Sequence, residues 1–122
     1  MTTLTQQRPA TSTSPVAAPF PENSRMYAIA FDMDIESLRN AYGDPYNNAY
    51  MDIRKILEEH GFNWQQGSTY FGGDQINAVT CVLAAIDLAQ RLPWFSASVR
   101  DIRMLRIEEL NDLMPAVQDA TD

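Results

Sequence analysis

The run MYAIAFDMD, residues 26–34, is apolar or aromatic from Met26 to Phe31 and turns acidic at Asp32 and Asp34. A nearly unbroken apolar run of this length is what a central β-strand needs when both of its faces are covered. Period-two sorting gives the two faces different shapes. Tyr27, Ile29 and Phe31 form a bulky face suited to packing on helices, whereas Ala28 and Ala30 form a small face that ends in Asp32. Another surface can approach that second face closely.

Downstream, Asp34 is placed to cap a short helix through Tyr42, and Gly43, Asp44 and Pro45 break it. Tyr46, Ala49, Tyr50, Ile53, Ile56, Leu57 and His60 then recur at spacings of three and four, a helix that Gly61 terminates. Two short β-prone runs, 62–65 and 69–71, flank Gln66, Gly67 and Ser68 and predict a hairpin. Ile76, Val79, Val82, Leu83, Ile86, Ala89 and Leu92 mark the buried stripe expected of a second amphipathic helix, stopped by Pro93. Within VRDIRMLRIEE, residues 99–109, alternation breaks between Met104 and Leu105, which predicts a last strand that is bulged there or entered late. The order strand, helix, strand, strand, helix, strand is the ferredoxin-like split βαβ arrangement, an α+β fold (βαββαβ). Its antiparallel sheet carries helices on one face and has the first and third strands at its centre.

Residues 1–25 hold four of the seven prolines, many Thr and Ser, and no periodic apolar pattern, so they are expected to be a disordered tail before a single domain over 26–122. The 122-residue chain is 45% hydrophobic and 20% charged, enough for a packed core, with a formal charge of −7. The tail's only charges are Arg8, Glu22 and Arg25, so residues 26–122 keep 7 basic and 15 acidic side chains and a formal charge of −8. This acidity excludes a protein that coats nucleic acid with its whole surface; any such contact must be local. The sequence has no apolar run long enough to span a bilayer and no secretory signal, so a cytoplasmic protein without membrane contact is expected. Its single cysteine, Cys81, and single histidine, His60, argue against a disulfide framework and a zinc site. A domain of about 90 ordered residues lies near the lower limit for an independent core, so burial in a homodimer would help it.

Asp32 is the first candidate for chemistry, because a carboxylate ending an apolar strand costs desolvation unless it is solvated, paired or bound to a cation. An ordinary loop-entry aspartate is the competing explanation. If two copies packed through the Ala28 and Ala30 face, a two-fold axis would bring both Asp32 side chains together, able to hold a divalent cation or to shift one pKa. Arg100, Arg103 and Arg106 concentrate three of the domain's seven basic residues; they serve either as partners of Asp101, Glu108 and Glu109 or as phosphate contacts for RNA. At the hairpin, Gln65, Gln66, Ser68 and Tyr70 can hydrogen-bond a base or a sugar, although polar hairpin tips are common. Tyr46, Tyr50, Trp64, Tyr70, Phe71, Trp94 and Phe95 are expected in the core or a subunit interface.

MYAIAFDMD at 26–34, NAYMDIRKILEEHGF at 48–62, QQGSTYFG at 65–72, NAVTCVLAAIDLA at 77–89, PWF at 93–95 and VRDIRMLRIEELNDL at 99–113 together resemble the virulence-associated protein D (VapD) family. The resemblance covers nearly all of residues 26–113, in order and with similar spacing, and omits the tail. It implies a ferredoxin-like homodimer related to the small CRISPR-associated adaptation nucleases, and an endoribonuclease that is the toxin-like half of toxin–antitoxin pairs with a small antitoxin protein as partner. The strand-end aspartate associated with activity falls on Asp32, within AFD. The resemblance assigns no role to Ser68, Tyr70 or the arginines, whose candidacy for RNA contact rests on their chemistry. The expected cofactor is a divalent cation, Mg²⁺, at Asp32, with a metal-free route through the RNA's own 2′-hydroxyl left open. The alternative is a non-catalytic dimer of the same fold that binds nucleic acid or protein.

Overall fold

The computed structural model describes residues 26–121; the expected tail at 1–25 lies outside them. The chain forms β1 (Met26–Met33), α1 (Ile35–Tyr42), α2 (Asn48–Glu59), β2 (Phe62–Gln66), β3 (Thr69–Gly72), α3 (Ala78–Arg91), α4 (Phe95–Ser98), β4 (Val99–Ile107) and α5 (Met114–Ala120). The four strands make one antiparallel sheet in the order β2-β3-β1-β4. The first and third strands are therefore central, an α+β architecture compatible with the ferredoxin-like arrangement.

The bulky face of β1 faces the core. Ile29, Phe31 and Met33 join Tyr70 of β3, Leu38 of α1, Ile53, Ile56 and Leu57 of α2, Cys81, Ala84 and Leu88 of α3, and Phe95 of α4 in one buried cluster. Burying each such aliphatic side chain stabilises the fold by roughly 1.5–3 kcal/mol. The other sheet face carries a cross-strand row of Asn63, Phe71, Ala28 and Leu105, and a second row of Gln66, Thr69, Ala30 and Arg103. Ala28 is already fully buried within its own chain, while Ala30 is half-buried.

Local signals set the element ends. Asp34 is the N-cap of α1, its carboxylate accepting a 3.1 Å hydrogen bond from the Ser37 backbone N–H. Asn77 and Thr80 form a capping box at the start of α3. Gly61, at φ +95°, turns the chain out of α2 in a conformation few other residues adopt.

Three expectations need correction. In α3 the buried stripe is Cys81, Ala84 and Leu88; of the expected series Ile76 and Leu92, which flank the helix, are buried, whereas Val79, 65% exposed, Val82, Leu83 and Ile86 face outward. The helix is apolar around most of its circumference, and turning its small residues inward lets it approach the sheet closely. In β4 the pairing with β1 runs unbroken through Met104 and Leu105 and shifts instead between Asp32↔Asp101 and Met33↔Val99, so the irregularity falls at Arg100. Met104 and Leu105 break the alternation because both are exposed. Finally, α4 follows Pro93 and α5 follows Asn111, where no helix was expected. Residues 109–121, with α5, belong to a separate compact unit from the sheet domain.

Candidate active site

The end of β1 delivers Asp32 to solvent. Its neighbours Phe31 and Met33 point into the core, so alternation turns Asp32 the other way, with a side chain 61% exposed. Across the strand pair it faces Asp101. Two carboxylates side by side repel, and each has its own cation. Arg103 Nε lies 3.1 Å from both oxygens of Asp101. Arg100 Nη1 lies 3.5 Å from Asp32 Oδ2, and its Nη2 donates to Asp34 Oδ1 at 3.1 Å.

The β4 irregularity explains that reach. Because pairing steps from Asp101 to Val99, Arg100 is the extra residue of a bulge, and a bulge re-aims the side chain it carries. The guanidinium thus spans both aspartates that end the apolar run. The Asp34 carboxyl is held below the usual carboxylate range, first by the Ser37 hydroxyl and backbone N–H and then by Arg100. Asp34 is committed to its helix cap, whereas the Asp32 side chain is 61% exposed.

The other arginines divide. Arg103 shares the small-residue face of the sheet with Ala30 and Gln66, whereas Arg106 pairs in register with Tyr27, far along β1 from Asp32, and makes a 3.3 Å ion pair with Glu108. The three therefore do not form one patch. All these ion pairs are exposed and individually weak, so each guanidinium can exchange its carboxylate for another anion.

At the hairpin, the Phe31 N–H donates to Ser68 O at 3.1 Å, which puts the turn beside the Asp32 end of β1. Gln66 is exposed and Ser68 half-buried. Tyr70 is more enclosed than a hairpin tip would be: its ring stacks on Phe31 with centroids 6.1 Å apart. Tyr70 and Ser68 line a cleft of about 390 Å³ between α2 and the hairpin, to which Tyr50, Arg54 and Trp64 also contribute. Arg54 was not among the candidates, and of the two places expected for Trp64, core or subunit interface, its 43% exposure excludes the core. The four-residue spacing of Tyr50 and Arg54, which puts both on one face of α2, was the available signal.

His60 and Cys81 take structural places. His60 Nε2 lies 2.8 Å from Asp87 Oδ2, joining the end of α2 to α3, where Arg91 also bonds Glu59 at 2.6 Å. Cys81 is buried, which pushes its thiol pKa up and away from reactivity. Among the described residues, no three His, Cys, Asp or Glu side chains converge as a metal cage. Asp32 with Arg100 beside it is one carboxylate donor, and a divalent cation there would need further oxygens from a second copy or from substrate phosphate.

No protein-family model matches the chain. Individual relatives do. The chain is 53% identical over 93 residues to Endoribonuclease VapD 2 of Riemerella anatipestifer, covering 75% of this chain and 99% of that protein. It is 54% identical over 93 residues to the Endoribonuclease VapD homolog of Helicobacter pylori, covering 76% of this chain and 97% of that protein. It is 45% identical over 95 residues to Endoribonuclease VapD of Dichelobacter nodosus, covering 78% of this chain and all of that protein.

Proposed function

The chain belongs to the VapD endoribonuclease family, and on that premise we propose that it is an endoribonuclease whose catalytic residue is Asp32. The observation that carries the assignment to Asp32 is its position: an exposed carboxylate at the end of a buried central strand, with Arg100 3.5 Å away. A carboxylate can accept a proton and an adjacent guanidinium can hold a phosphate, the two services that cleavage of a phosphodiester needs.

In the metal-free route, Asp32 accepts the proton of a ribose 2′-hydroxyl as that oxygen attacks the neighbouring phosphorus. The bond from phosphorus to the 5′-oxygen breaks, and the leaving oxygen takes a proton from water. The products are a 2′,3′-cyclic phosphate and a 5′-hydroxyl. Arg100 would release Asp32 and Asp34 to bind the non-bridging oxygens, where charge grows in the transition state. Arg103, beside Ala30, and Gln66, beyond Thr69 in the same cross-strand row, would position the strand beyond. Where Mg²⁺ is bound, it would be held by Asp32 and would supply neutralising charge at the phosphate.

The assembly we propose is a ferredoxin-like homodimer packed through the open sheet face. Support comes from the small, half-buried Ala30 and from Phe71 and Leu105, which flank the enclosed Ala28 on the same face. A two-fold axis there would pair the Asp32 carboxylates and give a cation two protein ligands in place of one. No helix among the described residues is long and apolar enough to cross a membrane. The family resemblance supports a toxin-like role opposed by a small antitoxin protein, and the absence of an apolar span or secretory signal in the sequence supports a cytoplasmic location.

The activity is tested by incubating the purified protein with end-labelled single-stranded RNA, with and without EDTA, and identifying the product ends. Internal cuts leaving cyclic phosphate in EDTA assign the metal-free route. Cuts that need Mg²⁺ assign the cation a role. Intact RNA under both conditions would overturn the nuclease assignment in favour of a binding module.

A further inference from the structure

The cleft between α2 and the β2–β3 hairpin has a composition that the cleavage step does not use. At about 390 Å³ it is within the usual range of small-ligand sites. Its lining brings together the aromatic side chains of Tyr50, Trp64 and Tyr70, the guanidinium-bearing Arg54 and the hydroxyl-bearing Ser68. The Trp64 indole N–H donates to Gly67 O at 2.8 Å, so the ring is fixed against the hairpin rather than free to turn. Arg54 lies with its guanidinium carbon 5.0 Å from the centre of that ring. Its other partner is Glu58, 3.2 Å from Nε, an exposed pair of small net strength that a phosphate can displace. Burial chiefly, together with Tyr46 and the negative charge of Asp32, pushes the Tyr50 phenol pKa up, and burial does the same for Tyr70. Both therefore stay neutral hydroxyl groups that can donate a hydrogen bond.

We propose that this cleft binds one unpaired nucleotide of the RNA, its base against Trp64 and Tyr50 and its phosphate on Arg54. The inference rests on the endoribonuclease assignment for the identity of the ligand, and on the cleft alone for its geometry. An aromatic wall beside an arginine matches a nucleotide, whose base offers a π-face and whose phosphate suits a guanidinium fork. The base must be unpaired, because in a duplex its faces are covered by stacking. The cleft is also close to the cutting residue: Ser68 on its border accepts the Phe31 N–H, one residue before Asp32. A nucleotide held there tethers the chain beside Asp32 and gives preference for loops and single strands.

The test uses a fluorescein-labelled 2′-O-methyl hexanucleotide, which lacks the attacking hydroxyl, and reads anisotropy for the wild-type protein, Trp64→Leu and Arg54→Gln. Loss of the stacking wall or the cation is expected to weaken single-strand binding by about tenfold or more. Binding of the same sequence as a duplex should change little between the proteins. Circular dichroism checks that both exposed substitutions leave the fold intact, and Arg54→Gln keeps the test open if Trp64→Leu does not fold. Wild-type affinity in both variants, or equal competition by duplex, overturns the proposal. Cleavage of ordinary RNA is measured in parallel. Tight single-strand binding that needs Trp64 and Arg54 without any cleavage supports the cleft and removes the nuclease assignment. Normal cleavage with unaltered binding by the variants does the reverse.

Discussion

Arg100 joins the two aspartates at the end of β1, and its replacement by Gln separates a bracing role from a phosphate-binding one. For stability, the side chains of Arg100, Asp32 and Asp34 are 61%, 61% and 40% exposed, so the two ion pairs are screened by water. Exposed pairs contribute about 0.2–1 kcal/mol, and in a domain of this size 1 kcal/mol moves Tm by about 4–8 °C. Arg100→Gln removes both pairs, about 2 kcal/mol at most, and should therefore lower Tm by no more than about 16 °C. For catalysis the scale differs, because a charge-assisted hydrogen bond to a phosphate oxygen is worth about 1.5–3 kcal/mol, roughly tenfold to a hundredfold in kcat/KM. The salt dependence of RNA binding should also lose about one unit of slope. Initial rates on labelled single-stranded RNA at several salt concentrations, with a thermal melt of each protein, provide both readings. Unchanged kcat/KM with a lowered Tm would show that Arg100 only braces Asp32 and Asp34, and would refute its phosphate role.

A β-carbon added at Gly72 would sit 2.7 Å from Ile76 Cβ and Cγ2, so Gly72→Ala should destabilise the domain by about 1–3 kcal/mol in a urea melt; an unaltered midpoint would mean that the loop before α3 yields freely. Acid should destabilise the protein in a defined window. Asp34, Glu59 and Asp87 are held below their ordinary values of 3.8, 4.5 and 3.8 by Ser37, Arg91 and His60 respectively. Folding then binds fewer protons than unfolding, so their contribution is complete above those ordinary values and is lost as pH falls through the lowered ones. Tm measured against pH should drop below about pH 4.5, and Arg91→Gln should make that drop shallower; equal slopes in the two proteins would contradict the assignment. Ala30→Leu should reduce the mass seen by light scattering from two chains to one if the open sheet face is the dimer interface. Ala28 is a poor probe because its own chain already encloses it.

The sequence was most informative where one physical requirement governed a segment. The apolar run before Asp32 can only be satisfied as an enclosed strand, and the α2 spacing sorts Ala49, Ile53, Ile56 and Leu57 onto the face that is buried. The α3 sequence offers two apolar faces, and periodicity favours the bulkier one, although helix-to-sheet distance favours Cys81, Ala84 and Leu88. The bulge at Arg100 depends on how β4 registers against β1, and the contact it makes with Asp34 joins residues 66 apart. Local spacing carries no trace of that. Asp32 was legible because a charged group at the end of an apolar strand is conspicuous by itself, whereas Arg54 and Trp64 meet only after α2 packs on the hairpin.

The central claim is that Asp32 performs the chemistry of RNA cleavage, and the ratio of kcat for Asp32→Asn to that of the wild-type protein measures it most directly. Asparagine keeps the size of the side chain and removes its capacity to accept a proton. The exposed position makes a folding defect easy to exclude by matching thermal melts. Loss of a positioned proton acceptor should lower kcat by about a hundredfold or more, with KM little changed. Equal kcat for the two folded proteins would contradict the claim and move the active site elsewhere on the molecule.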